Sequence, residues 1–190
     1  ADETDPRYIT RGRTEDEIIA YTFDRYLKTG DAAWPLLLPM VKSVVRGMDA
    51  IQSFLAGSRS ITVDDFVVAG ASKRGWTAWL TAAADARVRA VAPIVIDVLS
   101  IDVQMDHQRA VYGAYSEAIG DYADLNVFMY LNTPEGQSLL HIVDPYEYRG
   151  RLVMPKLPVN STGDEFFLPD SAQFYFRGLS GEKHLAYIPN

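Results

Sequence analysis

Residues 66–79 read FVVAGASKRGWTAW. A short apolar run, Phe66 to Gly70, ends in Ala71-Ser72-Lys73-Arg74-Gly75, and a helix-like pattern follows. Two readings fit a serine wedged between glycines at that junction. One is a tight turn in which glycine relieves the backbone and Ser72 caps a helix. The other is a nucleophile elbow, a sharp strand-to-helix turn that lifts a serine hydroxyl above a sheet. In both readings a buried strand feeds directly into a helix, which is the building unit of an α/β fold.

The neighbouring segments extend that pattern. Continuous apolar runs suit strands buried on both faces, and Val88–Ile96, Lys156–Ser161 and His184–Ile188 read as three more. Arg74 to Ala84 reads as the helix between the first two. Upstream, Thr14 with Glu17 forms a capping-box pattern for a helix that Gly30 ends. Val41, Val44, Val45, Met48, Ile51 and Phe54 fall near 3.6-residue spacing and predict an amphipathic helix over 37–54 with one buried face. Gly57 to Ser60 reads as a turn, and Pro169 to Phe176 as a helix. Residues 97–150 break the rhythm, with six tyrosines, two histidines and no clear strand; they read as a helical, lid-like insertion between sheet strands. The expected architecture is one α/β domain over residues 1–190, with a mostly parallel sheet flanked by helices.

The bulk numbers agree with a globular domain and exclude several partners. The chain has 190 residues, 48% hydrophobic and 23% charged, with a net charge of −7. That balance argues against nucleic acid or an anionic membrane surface as a main partner. Without cysteine there is no disulfide, thiolate metal site or cysteine nucleophile. No apolar run approaches the roughly 18 residues of a membrane span. The first residues, ADETDPRYITRGRTEDE, are polar and do not read as a signal peptide. The three histidines are scattered and not spaced as ligands, so no metal is expected. Ala69-Gly70-Ala71-Ser72 is no G-x-G-x-x-G fingerprint, so no dinucleotide and no other cofactor is expected.

Ligands of open α/β sheets bind beyond the carboxyl ends of the strands, which is where Ser72 falls. Small residues flank an elbow nucleophile because side chains there would strike the next strand or helix; Gly70 and Gly75 meet that need. The pattern is G-x-S-x-x-G, with Arg74 where glycine is commoner. A hydrolase triad needs an acid next, then a histidine. Asp164 closely follows the third strand, with a turn or cap as its bland alternative and Glu165 as a substitute. The last strand runs into Pro189-Asn190 with no histidine after it. His184 precedes that strand, and His107 and His141 sit in the insertion. The backbone N–H of Lys73 is the candidate oxyanion donor, and the cations of Lys73 and Arg74 are candidates to assist it or to hold an acidic substrate. Trp76 and Trp79, at i and i+3, read either as core or as a sugar platform.

The runs Arg13–Thr22, Leu38–Lys42, GASKRGW at 70–76, Pro93–Asp97 and GDEFF at 163–167 closely resemble the PhoPQ-activated pathogenicity-related proteins. The resemblance covers nearly the whole chain. It implies an α/β-hydrolase fold, Ser72 as nucleophile, Asp164 as acid, and a histidine beyond Asn190. It also implies a secreted or envelope-associated, virulence-linked protein of undefined substrate. Members are longer, so this chain is expected to be incomplete at both ends, with a companion segment or chain completing the fold. The basic residue after the serine also resembles glucuronoyl esterases, which implies a carbohydrate ester as the alternative substrate. A non-catalytic secreted binding or signalling protein on the same fold is the alternative from another class.

Overall fold

A computed structural model describes residues 12–189; the polar stretch 1–11 and Asn190 lie outside them. The chain groups into two compact units, residues 12–36 with 101–143 and residues 37–100 with 144–189.

The first unit is helical. Helix α1 spans Glu15–Thr29 and ends on Gly30 in the left-handed region (φ 71°), whose N–H donates to the Tyr26 carbonyl. This is the expected glycine stop. Thr14 precedes the helix as expected, but its side chain makes no capping bond; the Glu17 N–H is satisfied by the Thr14 carbonyl instead. Acidic residues in the first turn and Lys28 in the last complement the helix dipole. Ile19, Ala20, Phe23 and Leu27 are buried. The ring of Tyr122 packs near Phe23 and Phe128, and its hydroxyl donates to Asp16. Helices α4 (Ile101–Tyr112), α5 (Gly120–Asp124) and α6 (Pro134–Val143) belong to the same unit.

The second unit holds the sheet. Strands β1 (Phe66–Ala71), β2 (Val88–Ile94), β3 (Val159–Ser161) and β4 (Ala186–Ile188) lie side by side in chain order, all parallel. Helix α2 spans Leu37–Arg59, and α3, Lys73–Ala84, links β1 to β2. Strand β3 and strand β4 are shorter than their apolar runs predict; Lys156 contributes isolated bridges to Val91 and Lys183 rather than a continuous ladder. The Pro169–Phe176 region forms two short 3-10 turns, Ser171–Phe174 and Phe176–Gly178, instead of an α-helix.

Two expectations about burial fail for one reason. Strand β1 is the edge of the described sheet, so it is not buried on both faces; Val67 is 72% exposed. The apolar stripe of α2 buries only its first half. Val41 and Met48 are covered, whereas Phe54 is 65% exposed, and the helix runs through the predicted turn to Arg59. An apolar pattern states what a segment is able to bury, and the neighbours present decide how much of it is covered.

Side-chain bonds tie α2 to the turn before β2. The Arg87 guanidinium donates to Asp49 at 2.8 Å and Gln52 at 2.6 Å on α2, and to Asp85 at 2.6 Å. Trp79, fully buried, and Trp76 anchor α3 to the core; they are packing residues, not a sugar platform.

A strained elbow and two carboxylates at one sheet edge

The site begins with register. Ala71, Ile94, Val159 and Ala186 pair across the sheet in one row. Residues that follow them in the chain therefore emerge at one edge, the carboxyl end of a parallel sheet, where loops converge.

At β1 that residue is Ser72. Its backbone has φ 53° and ψ −131°, a conformation that costs a non-glycine residue on the order of 1–3 kcal/mol. The Ser72 N–H donates to the Ile94 carbonyl at 2.9 Å, and the Ser72 carbonyl accepts from Gly75 and Trp76 at 2.8 and 3.0 Å. Ser72 thus belongs to the sheet on its N–H side and to α3 on its carbonyl side. The reversal is so tight that only glycine fits on either flank. A Cβ on Gly70 would lie 2.5 Å from the Arg74 carbonyl oxygen, and one on Gly75 would lie 2.5 Å from Ile96 Cγ2. Ser72 is the N-cap residue of α3 by position, but it is half-buried and its side chain makes no capping bond. Lys73 is the first residue of α3, half-buried, and Arg74 is exposed. Strain continues next door: Val95, just past β2, has φ 45°, rare for a β-branched residue.

Asp164 lies three residues past β3, at the same edge. Its Oδ1 accepts from the backbone N–H groups of Phe166 and Phe167 at 2.8 and 3.1 Å. Burial raises its pKa above the usual carboxylate value, against those two bonds.

A second carboxylate stands nearby that the sequence reading passed over. Asp97, three residues past β2, is only 3% exposed. Burial raises its pKa to about 6, opposed by a hydrogen bond from Tyr175 and by Asn160, and reinforced by the charge of Asp164. The signal was present: the strand-end rule that selects Asp164 selects Asp97 equally.

Parallel pairing does not bring His184 to Ser72. His184 donates its N–H to the Lys156 carbonyl and lies two residues before β4, on the amino-terminal side of the row that carries Ser72. Its exposed imidazole meets Glu182 at 3.0 Å. His107 and His141 belong to the first unit. Among the described residues no group of three histidine, cysteine or acidic side chains is arranged to hold a metal, and no helix is long and apolar enough to cross a membrane.

Comparison with known proteins agrees with this geometry at the level of fold. The described architecture resembles acetyl xylan esterase 1 from Thermoanaerobacterium sp. (TM-score 0.60, 17% identity, covering 95% of this chain and 53% of that one). It also resembles the acylaminoacyl peptidase of Pyrococcus horikoshii (TM-score 0.59, 14% identity, 90% of this chain and 24% of that one). Both comparisons place the chain in an α/β-hydrolase-like fold. In sequence it is 45% identical over 181 residues to autocrine proliferation repressor protein A of Dictyostelium discoideum, covering 94% of this chain but 36% of that protein. The chain thus spans about a third of the length of that relative. The family model for PhoPQ-activated pathogenicity-related protein matches residues 7–190, and the chain belongs to that family.

Proposed function

We propose that the chain carries the nucleophile and the acid of a serine hydrolase acting on an ester or amide. The observation that carries this reading is the backbone of Ser72: a strained, positive-φ serine at the carboxyl edge of a parallel sheet, flanked by two glycines that admit no Cβ. Such strain persists where the surrounding structure over-determines it, and it concentrates at active sites.

In this reading Ser72 Oγ attacks the substrate carbonyl, while an imidazole takes its proton and later passes it to the leaving group. Asp164, its Oδ1 fixed by two backbone donors, orients that imidazole. The N–H of Lys73 at the start of α3 donates to the oxyanion, where one lost donor typically costs about 10²–10³ in rate. The Lys73 and Arg74 cations favour an acidic substrate or add to oxyanion stabilisation. His184, at the other end of β4, is not that base. On this reading the protein acts outside the cytoplasm, as the resemblance of its sequence runs implies.

The test is covalent labelling with a fluorophosphonate followed by peptide mapping. One adduct on Ser72, absent in Ser72→Ala, supports the reading; an unlabelled Ser72 in folded protein that also carries the histidine expected beyond Asn190 removes it. The second reading is a signalling protein that keeps the fold without turnover, favoured by the name of the Dictyostelium relative. Under it, Ser72→Ala leaves biological activity unchanged.

A further inference from the structure

One buried titratable group has no role in the reading above. Asp97 is 3% exposed, and its Oδ1 has no hydrogen-bond partner among the described residues. A carboxylate oxygen held away from water without a donor is costly. Asn160, 5% exposed, has an Nδ2 without a well-formed hydrogen bond, yet lies close enough to favour the charged form of Asp97. The Tyr175 phenol, almost fully buried, hydrogen-bonds the carboxyl group.

The chain positions of these partners matter. Asn160 lies in β3, before the turn that carries Asp164, and Tyr175 follows that turn, at the end of the first 3-10 segment. The two ends of the Asn160–Tyr175 segment therefore converge on one buried carboxyl group, with Asp164 in between. Asp97 itself hangs from the β2 exit. Ile94 in that strand accepts the Ser72 N–H, and Ile96 lies where Gly75 admits no Cβ. One side chain thus links the strand that supports the elbow to the Tyr175 end of the loop that carries the acid, with Asn160 buried beside it.

We propose that Asp97 is a positioning residue of this site: a second carboxylate that holds the Asp164 loop through Tyr175 and adds its negative charge near Asp164. This rests on the serine hydrolase reading. An imidazole that takes the Ser72 proton becomes a cation, and two nearby carboxylates stabilise it more than one. The groups facing Asp97 are Asp164 from the loop, Tyr175 from the 3-10 segment, Asn160 from β3 and Tyr187 from β4. Asp164 is the charged group among them.

The experiment uses protein that carries the histidine expected beyond Asn190, and compares the rate of fluorophosphonate labelling at Ser72 across pH 4–9 in the wild type, Asp97→Asn and Tyr175→Phe, each checked for folding by circular dichroism. Asp97→Asn keeps the shape and removes the charge. It should label at the same serine about 10-fold or more slowly, and the midpoint of its pH–rate curve should move down, because losing a nearby negative charge lowers the imidazole pKa. Tyr175→Phe should slow labelling less. An unchanged rate and midpoint in folded Asp97→Asn would overturn the proposal and leave the hydrolase reading intact. An unlabelled wild-type Ser72 removes the hydrolase reading and, with it, any role for Asp97 in positioning the base. Carboxyl ¹³C NMR then decides whether the pair itself exists: with Asp164→Asn, the Asp97 titration should move to lower pH, and an unmoved titration shows that the two carboxyl groups are not coupled.

Discussion

The N–H of Ser72 donates to the carbonyl of Ile94 at 2.9 Å. This bond makes the elbow a continuation of the β1–β2 ladder, although Ser72 has left strand geometry. The position of its hydroxyl is therefore inherited from the sheet, and changes that disturb β1, β2 or their contact with α3 should move it.

Gly75 is the most direct lever on that contact. In Gly75→Ala the new methyl would lie 2.5 Å from Ile96 Cγ2 and 2.6 Å from the Gly70 carbonyl. Overpacking of this kind costs about 1–3 kcal/mol. Gly70→Ala meets backbone atoms alone, at 2.5 Å from the Arg74 carbonyl oxygen, and should cost at least as much. Urea unfolding midpoints should fall in both variants, and labelling at Ser72 should fall further than the loss of stability explains.

Asp97 should be a residue that function keeps at the expense of stability. Its folded pKa, about 6, lies above the ordinary carboxylate value because of burial. Between about pH 4 and 6 the folded state holds this proton more tightly than the unfolded chain, so this group's contribution falls as pH rises through that window and is flat above it. Across about two pH units the loss is on the order of 3 kcal/mol at most. Asp97→Asn should therefore be as stable as the wild type near pH 4 and more stable at pH 7, as read by thermal melts at both pH values. A variant that loses stability equally at both would contradict this.

Arg87 should govern the acid limb of stability. Its bonds to Asp85 and Asp49 hold both carboxyl groups below their ordinary value. For such groups the stabilisation is present above the unfolded carboxylate pKa and is lost as pH falls through about 4 and below. Arg87→Met should lower the melting temperature at pH 7, with a smaller difference from the wild type at pH 3 and in high salt.

Trp79 separates packing from hydrogen bonding in the core. It is fully buried, and its indole Nε1 has no partner among the described residues. Trp79→Phe removes that unsatisfied donor while retaining most of the ring, and should cost less than about 1.5 kcal/mol. Trp79→Ala should cost about 3–5 kcal/mol. Chemical denaturation of the two variants checks the difference.

The order of elements and the elbow were legible in the sequence. Phe66–Gly70 is a short apolar run of strand-forming residues, Gly30 is a stop that only φ above zero satisfies, and glycine on both flanks of Ser72 signals a backbone with no room. These are local properties, fixed by φ/ψ preference and by the period of the apolar pattern, and a single segment carries them. The acid candidate Asp164 was readable in the same way, from its distance past a strand.

Tertiary structure decided what depends on neighbours. Whether Val67 or Phe54 is covered is set by what packs beside β1 and α2, and a periodic pattern holds no record of that. His184 lies only two residues from a sheet strand, yet parallel pairing puts it at the end opposite Ser72. Asp97, Asn160 and Tyr175 are far apart in sequence and share no motif. They meet because parallel register brings the exits of β2 and β3 to one edge, and the 3-10 segment then folds back over them. Burial and charge at that edge are sums over all these elements, so the rise in the Asp97 pKa, unlike its place past a strand, could not be read from any one segment.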